Sequence, residues 1–449
     1  MAVETFLSSR SRPVQNVRVR KPTLERNKPE RKENVRKPSS DPARESSAGV
    51  ARPQIAWNML CVGSADAILV ATSIALIAFG IVMVYSASSV WAHLHHNDDQ
   101  LLLVRQARHA ALGLCLMFGL MRLDYHRLRP LTYPFLLVSL AMLTIIALGF
   151  GHQAGGAARW LRVGPFGVQP AEVTKLAFIC WMAYSLSKKT ARIRSFAVGL
   201  LPHLVGAGLL MWLCLKQPDF GSAVMIAVLL FCMLFTAGAR LGYLFGLGLL
   251  ALPLAYHAVT SSEYRLKRIM SFLSNSENYQ IRESWMSFGA GGITGVGIGD
   301  SHQKLLFLPE AHTDFISAIV GEELGLVGFS VMVLAFLVIV YRGVVTAFRA
   351  IDEYGTYLAV GITLFLGMQT FTNLAVAVGL FPTKGLVLPF ISYGGTSLLV
   401  NCCCVGILAN VSRPRSLSST VNIPGHRAEL VSGSVERRSA VPRVLGGVA

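Results

Sequence analysis

Long apolar runs dictate what this chain can fold into. Ten of them recur: Ala67 to Tyr85, Leu101 to Leu120, Thr132 to Phe150, Ala171 to Ser187, Phe196 to Leu215, Ser222 to Ala237, Leu241 to Val259, Leu324 to Tyr341, Tyr357 to Leu380 and Thr396 to Val411. Such a run crosses a bilayer as a helix, because a helix satisfies its own backbone polar groups without water. A membrane barrel would instead show short alternating strands. The expected fold class is therefore an all-α polytopic membrane protein with ten transmembrane helices. Composition agrees: 53% of residues are hydrophobic and 14% charged, against about 25% charged in soluble domains.

The formal charge is +17, which in a soluble domain would suggest nucleic acid. Here the tails carry much of it, in "RKPTLERNKPERKENVRK" (20–37) and "RPR" (413–415). A basic tail beside a span is a topology signal and a contact for anionic membrane lipids. No aromatic or groove-reading motif accompanies it, so nucleic acid is not an expected partner. Residues 1–60 are rich in Pro, Arg, Lys and Ser and read as a disordered cytoplasmic tail. Residues 61–412 form the membrane domain, and 413–449 a second disordered cytoplasmic tail. The first residues contain no signal-peptide core, so the first run is expected to stay as an anchor. The eight cysteines lie largely in apolar runs. The triplet Cys402, Cys403 and Cys404 would turn about 100° per residue on a helix, and no CxxC exists, so a metal site is not expected.

With the N-terminus inside, cytoplasmic loops hold Arg122, Arg127 and Arg129, then Lys188, Lys189, Arg192 and Arg194, then Arg240, and finally Arg342 and Arg349. An even number of spans returns the C-terminus to the cytoplasm. The first external loop, "ASSVWAHLHHNDDQ", has neither Lys nor Arg. The long connection 260–323 falls outside, between the seventh and eighth spans, yet carries Arg265, Lys267, Arg268, Arg282 and Lys304. Arg159 and Arg162, before the fourth span, are external too. These cations depart from the positive-inside pattern and invite an anionic ligand. Loops of this length are usually functional.

Several short stretches could carry chemistry. "GAGGITGVGIGDS" has no G-x-G-x-x-G and no Walker A pattern, so ATP is not expected. It reads either as a turn-rich loop packed on helices or as a flexible wall of a groove. Pro170 would start a helix with Glu172 and Lys175 one turn apart, as a buried salt bridge or a ligand-facing pair. Asp219 in "KQPDFGSA" reads as a helix cap. "LPEAHTDF" (308–315) gathers Glu310, His312 and Asp314 before an apolar run. Thr313 or Asp314 could cap the next helix, and Asp314 could instead serve as a general base. Glu322 and Glu323 point about 100° apart on a helix, so at least one is expected to face a polar cavity. "GLFPTKGLVLPFISYGGTS" is irregular backbone at membrane depth with Lys384 as an external cation. External chemistry has no nucleotide to draw on. A lipid-borne donor would supply its own pyrophosphate, held by basic residues while a carboxylate deprotonates an acceptor hydroxyl.

Taken together, "GGAARWLRVGPFGVQPAEVTK", "QPDFGSA", "YRLKRIMSFL", "GGITGVGIGDSHQKLLFLPEAHTDFISAIVGEELGLVG" and "FPTKGLVLPFISYGGTS" resemble the SEDS (RodA/FtsW/SpoVE) family of bacterial cell-wall proteins, most of all its cell-division branch. The resemblance implies an inverting peptidoglycan glycosyltransferase of the cytoplasmic (inner) membrane and septum. Such an enzyme polymerises lipid II and releases undecaprenyl pyrophosphate. It further implies a class B penicillin-binding protein and other division proteins as partners. By motif position, the catalytic aspartate is Asp314. Glu172 and Lys175 match the family's buried pair, Arg265 and Arg268 its arginine pair, and Lys384 the lysine of "PTKG". Arg159, Gln303, Lys304, His312 and Glu322 complete the expected substrate-binding set. No cofactor is required by the resemblance, although a magnesium or manganese ion could assist the departing pyrophosphate. Ala171 departs from the family, which commonly has Ser there. A lipid II flippase and a non-catalytic division scaffold are the competing functions.

Overall fold

The structure is a computed structural model and describes residues 65–413 apart from 155–156, 165, 274–278, 306 and 384. The expected disordered tails 1–60 and 413–449, apart from Arg413, and Lys384 lie outside the described residues. Each of the ten apolar runs falls on a helix. These are α1 (Ala67–His96), α2 (Leu101–Arg122), α3 (Leu128–Ile145), α4 (Pro170–Lys189), α5 (Leu201–Lys216), α6 (Phe220–Thr236) and α7 (Leu241–Thr260). Two shorter helices follow, α8 (Glu263–Leu273) and α9 (Tyr279–Gly291). The remainder are α10 (Ile316–Arg349), α11 (Glu353–Ala377) and α12 (Gly395–Val411). Among the described residues seven helical stretches are long and apolar enough to cross a membrane: α1, α2, α3 with its flanking turns (Tyr125–Phe150), α5 with the turn before it (Phe196–Lys216), α7, α10 and α11. α6 and α12 are apolar but shorter, and α4 carries Glu172, Lys175, Lys188 and Lys189.

The packing puts polarity inside. α4 and α11 are buried over most of their length and pack on each other as well as on α3 and α10. α11 turns Gln369, Thr370 and Asn373 inward, as expected where lipid, not water, surrounds the bundle. α12 packs on α2, α10 on α11, and α3 on α4. α7 buries only Leu244 among its described residues.

Three features differ from the sequence reading. α1 continues to His96, so much of the expected first external loop is helical; it ends on Asn97 in the left-handed conformation (φ 52°). A three-stranded antiparallel sheet, β1 (His152–Ala154), β2 (Ala157–Val163) and β3 (Phe166–Val168), follows α3. No strand was expected there, because the alternation is short and interrupted by glycines. The long connection 260–323 is largely filled by α8, α9 and the first turns of α10.

α10 is broken at Gly325, whose φ of 65° and ψ of −165° lie outside the helical region. The glycine-rich segment fills the break. Val296 and Gly297 donate their N–H groups to the carbonyls of Glu322 and Glu323 at 3.0 Å, and Leu326 donates to Gly292 at 2.9 Å. A Cβ on Gly325 would lie 2.3 Å from the Gly295 nitrogen, so only glycine fits this conformation and this contact. The close-packing reading of "GAGGITGVGIGDS" describes this geometry.

Candidate active site

The turn that precedes α10 is built on Glu310. Its φ of 57° places a non-glycine residue in the left-handed region, a costly conformation. The return is that the Glu310 carbonyl accepts N–H groups from Thr313 and Asp314 at 3.1 Å and from Phe315 at 3.4 Å. The Thr313 hydroxyl donates to the Glu310 carboxylate at 2.8 Å. α10 begins with no side-chain cap. The capping role proposed for Thr313 or Asp314 is therefore not taken up: Thr313 turns to Glu310, and the Asp314 carboxylate is left to face a cavity.

That cavity encloses about 1630 Å³. Arg159, Arg268, Glu310, His312 and Asp314 line it, together with Arg105, Arg108, Arg162 and His152. Arg159 on β2 is aimed by the Gln217 and Pro218 carbonyls, which accept from its guanidinium at 3.4 and 2.6 Å. Those carbonyls are set in turn by Asp219, whose side chain caps α6 through the Ser222 N–H at 3.1 Å. Arg268 on α8 donates to the Thr383 carbonyl at 3.0 Å. The backbone of Gly385 runs beside Asp314, close enough that a Cβ there would sit 3.5 Å from Oδ2.

Asn373, which the sequence reading did not single out, joins these parts. From α11 its amide donates to the Asp314 carbonyl at 2.9 Å and to the Leu386 carbonyl at 2.7 Å. Its own oxygen accepts from Ser317 at 3.3 Å. It thereby ties the turn bearing Asp314 to the loop behind it.

Burial pushes the Asp314 carboxyl up to about 7, the neighbouring Glu310 carboxylate pushes the same way, and Arg268 and Arg159 pull it back. The carboxyl is thus poised near neutrality. A group there can both take up and release a proton at physiological pH. His312 sits between Trp91 (ring centroids 5.4 Å) and Tyr393 (6.0 Å), and burial lowers its pKa. Its imidazole forms part of the cavity wall between those two rings.

The other predicted residues lie elsewhere. Arg265 donates to the Ala258 carbonyl and stacks over Phe220 at 6.0 Å, so the arginine pair is split and only Arg268 lines the cavity. Glu172 and Lys175 form a 2.7 Å ion pair that is 3% and 0% exposed. They do not line the cavity; helical spacing on a fully buried face turns them into the bundle, where Lys175 also meets Phe365 at 5.3 Å. Lys304 reaches the Gly299 carbonyl and lies 3.6 Å from Glu323. Glu322 accepts from the Ser301 hydroxyl and from the His302 N–H at 2.9 Å, and Glu323 accepts from Ser86 at 2.5 Å. Both glutamates therefore clamp the loop; neither faces the cavity. Gln303 is also absent from its lining.

Among the described residues no group of three or more His, Cys, Asp or Glu could hold a metal ion. Among the described residues the cavity offers two carboxylates, Glu310 and Asp314, and these do not make a cage for magnesium or manganese.

Comparison with known proteins agrees with this architecture. Residues 66–417 match the FtsW/RodA/SpoVE cell cycle protein family. The chain is 45% identical over 353 residues to a probable peptidoglycan glycosyltransferase FtsW of Geobacter sulfurreducens, covering 77% of this chain and 95% of the relative. It is 39% identical to stage V sporulation protein E of Bacillus subtilis, covering 78% and 97%. Among solved structures it resembles a chain of a peptidoglycan synthase complex that coordinates polymerization and crosslinking (TM-score 0.65, 29% identity, 78% and 98% covered). It also resembles the rod shape determining protein RodA of Thermus thermophilus (TM-score 0.58, 29% identity, 78% and 98% covered). The chain belongs to the SEDS family of FtsW, RodA and SpoVE, and within it is most like FtsW.

Proposed function

We propose that this protein is a peptidoglycan glycosyltransferase that polymerises lipid II into glycan strands during septal wall synthesis. One observation carries the reading: a single cavity holds a carboxyl poised near pH 7 beside two arginines anchored by backbone carbonyls. Asp314 takes the proton from the acceptor sugar hydroxyl. The hydroxyl oxygen bonds to the donor's anomeric carbon from the opposite face, and the carbon–oxygen bond to diphosphate breaks with its electron pair. Arg159 and Arg268 stabilise the departing undecaprenyl pyrophosphate, a preorganised arrangement that favours charge where it develops. Lys384 is assigned to the same pole by its motif. The residues here do the binding and proton transfer.

The membrane arrangement proposed with it has ten crossings, α1 to α7 and α10 to α12, with both termini cytoplasmic and 260–323 outside. That orientation puts the cavity at the outer face of the cytoplasmic membrane at the septum. A class B penicillin-binding protein, other division proteins and membrane lipids are the proposed partners, by analogy with the synthase complex it resembles. The test is polymerisation of lipid II by the purified protein with its penicillin-binding partner in detergent. Detergent removes sidedness, so a flippase forms no polymer there. Equal polymer from wild type and Asp314→Asn would end the general-base assignment.

A further inference from the structure

The same cavity has a second cationic pole that the reading above leaves unused. Arg105 and Arg108 stand one turn apart on α2, both exposed and both lining the cavity. The N-terminus of the 17-residue α12 lies beside them: Gly394 and Gly395 line the same space, and no side chain caps the helix. The contact is close, since a Cβ on Gly395 would lie 2.5 Å from His109 Nε2. Two guanidiniums next to the positive end of a helix dipole form a site for a polyanion. This pole is separate from the first. Arg159 and Arg268 stand on β2 and α8, fastened to the Gln217, Pro218 and Thr383 carbonyls, whereas Arg105 and Arg108 stand on α2 where it packs along α12.

The reaction needs such an arrangement. The donor's diphosphate is attached to the carbon being attacked, so its cations must adjoin the base. The acceptor's diphosphate survives the step and is a disaccharide away from the attacking hydroxyl, so its cations must stand off from the base. We infer that Arg105 and Arg108, with the uncapped start of α12, hold the diphosphate of the acceptor lipid while Arg159 and Arg268 hold that of the donor. This rests on the polymerase reading.

The shared chemistry is a lipid-borne phosphate, and bulk anionic phospholipid is its other source. The experiment measures lipid II polymerisation by the full-length protein and its partner in detergent without phospholipid, for wild type, Arg105→Gln/Arg108→Gln and Arg105→Lys/Arg108→Lys. Thermal unfolding of each variant is matched to wild type first. The glutamine pair is expected to raise the apparent KM for lipid II by about tenfold or more, the loss of charge-assisted hydrogen bonds. The rate at saturation should stay within about twofold, and the lysine pair should recover much of the affinity. If the glutamine pair misfolds, the lysine pair decides: its KM must rise, because lysine lacks the bidentate fork. An unchanged lipid II KM in every folded variant overturns the inference. So does an effect confined to binding of phosphatidylglycerol vesicles, which would make the arginines headgroup anchors. Absence of polymer from wild type would instead overturn the polymerase reading itself.

Discussion

Replacing Asp314 by Asn tests the site through stability as well as rate. Moving a carboxyl from its ordinary 3.8 to about 7 corresponds to about 4 kcal/mol between folded and unfolded chains. Asp314 is only half-buried, which lowers the realised figure to about 2–4 kcal/mol. The sign follows from linkage: folding favours the protonated carboxyl, so this stabilisation is fully present below pH 3.8 and is lost as pH rises through 7. Asparagine does not titrate. Between pH 5 and pH 8 the wild type should lose about 2 kcal/mol through this group while Asp314→Asn loses none. Other groups titrate alike in both proteins and cancel. Thermal unfolding in detergent should therefore show the variant gaining on the wild type by a few degrees as pH rises. Polymerisation should fall by about 10²–10⁴-fold in the variant, and the wild-type rate should climb through about pH 7 as the base deprotonates. A melting gap that stays constant from pH 5 to pH 8 would refute the raised carboxyl, and with it the claim of a base held near neutrality at a cost in stability.

The remaining expectations concern residues outside the reacting centre. Glu172→Ala or Lys175→Ala leaves one buried charge unpaired and should destabilise by about 3–5 kcal/mol, whereas replacing both with apolar residues should recover most of it, read by denaturation. Gly325→Ala should cost at least about 2 kcal/mol, because its Cβ would collide with backbone in a left-handed conformation; hydrogen exchange should localise the opening to residues 291–304. Arg268→Ala should raise the KM for lipid II about tenfold or more, while Arg265→Ala, whose side chain turns to α7, should shift thermal stability and leave KM near wild type.

The sequence carried the helices well because lipid imposes a simple rule: an apolar run has few structures open to it. Every such run falls on a helix, and "LPEAHTDF" does contain both carboxylates that line the cavity, Glu310 and Asp314. Direction of side chains was less legible. Glu172, Lys175, Lys304 and Glu322 have the chemistry of ligands but are consumed by partners 3 to 21 residues away in sequence, which helical spacing alone does not reveal. Arg105 and Arg108 could have been found: two arginines one turn apart inside an apolar run are costly unless they meet water or an anion. Asn373 gave no signal, since an amide buried for its backbone contacts looks like any polar residue in a helix. The sheet at 152–168 formed from too few alternating residues to stand out from a loop.

The break in α10 has a mechanical consequence. Leu326 to Arg349 forms an arm roughly 36 Å long at 1.5 Å per residue. A tilt of that arm in an unbroken helix would swing the turn bearing Asp314. At Gly325 the rod is instead interrupted, and the glycine-rich backbone straps both sides of the break, Glu322 and Glu323 before it and Leu326 and Val327 after it, while Asn373 holds the leading segment to α11. A change of helix tilt therefore reaches the turn bearing Asp314 through the backbone of residues 292–297 and not along one rigid rod.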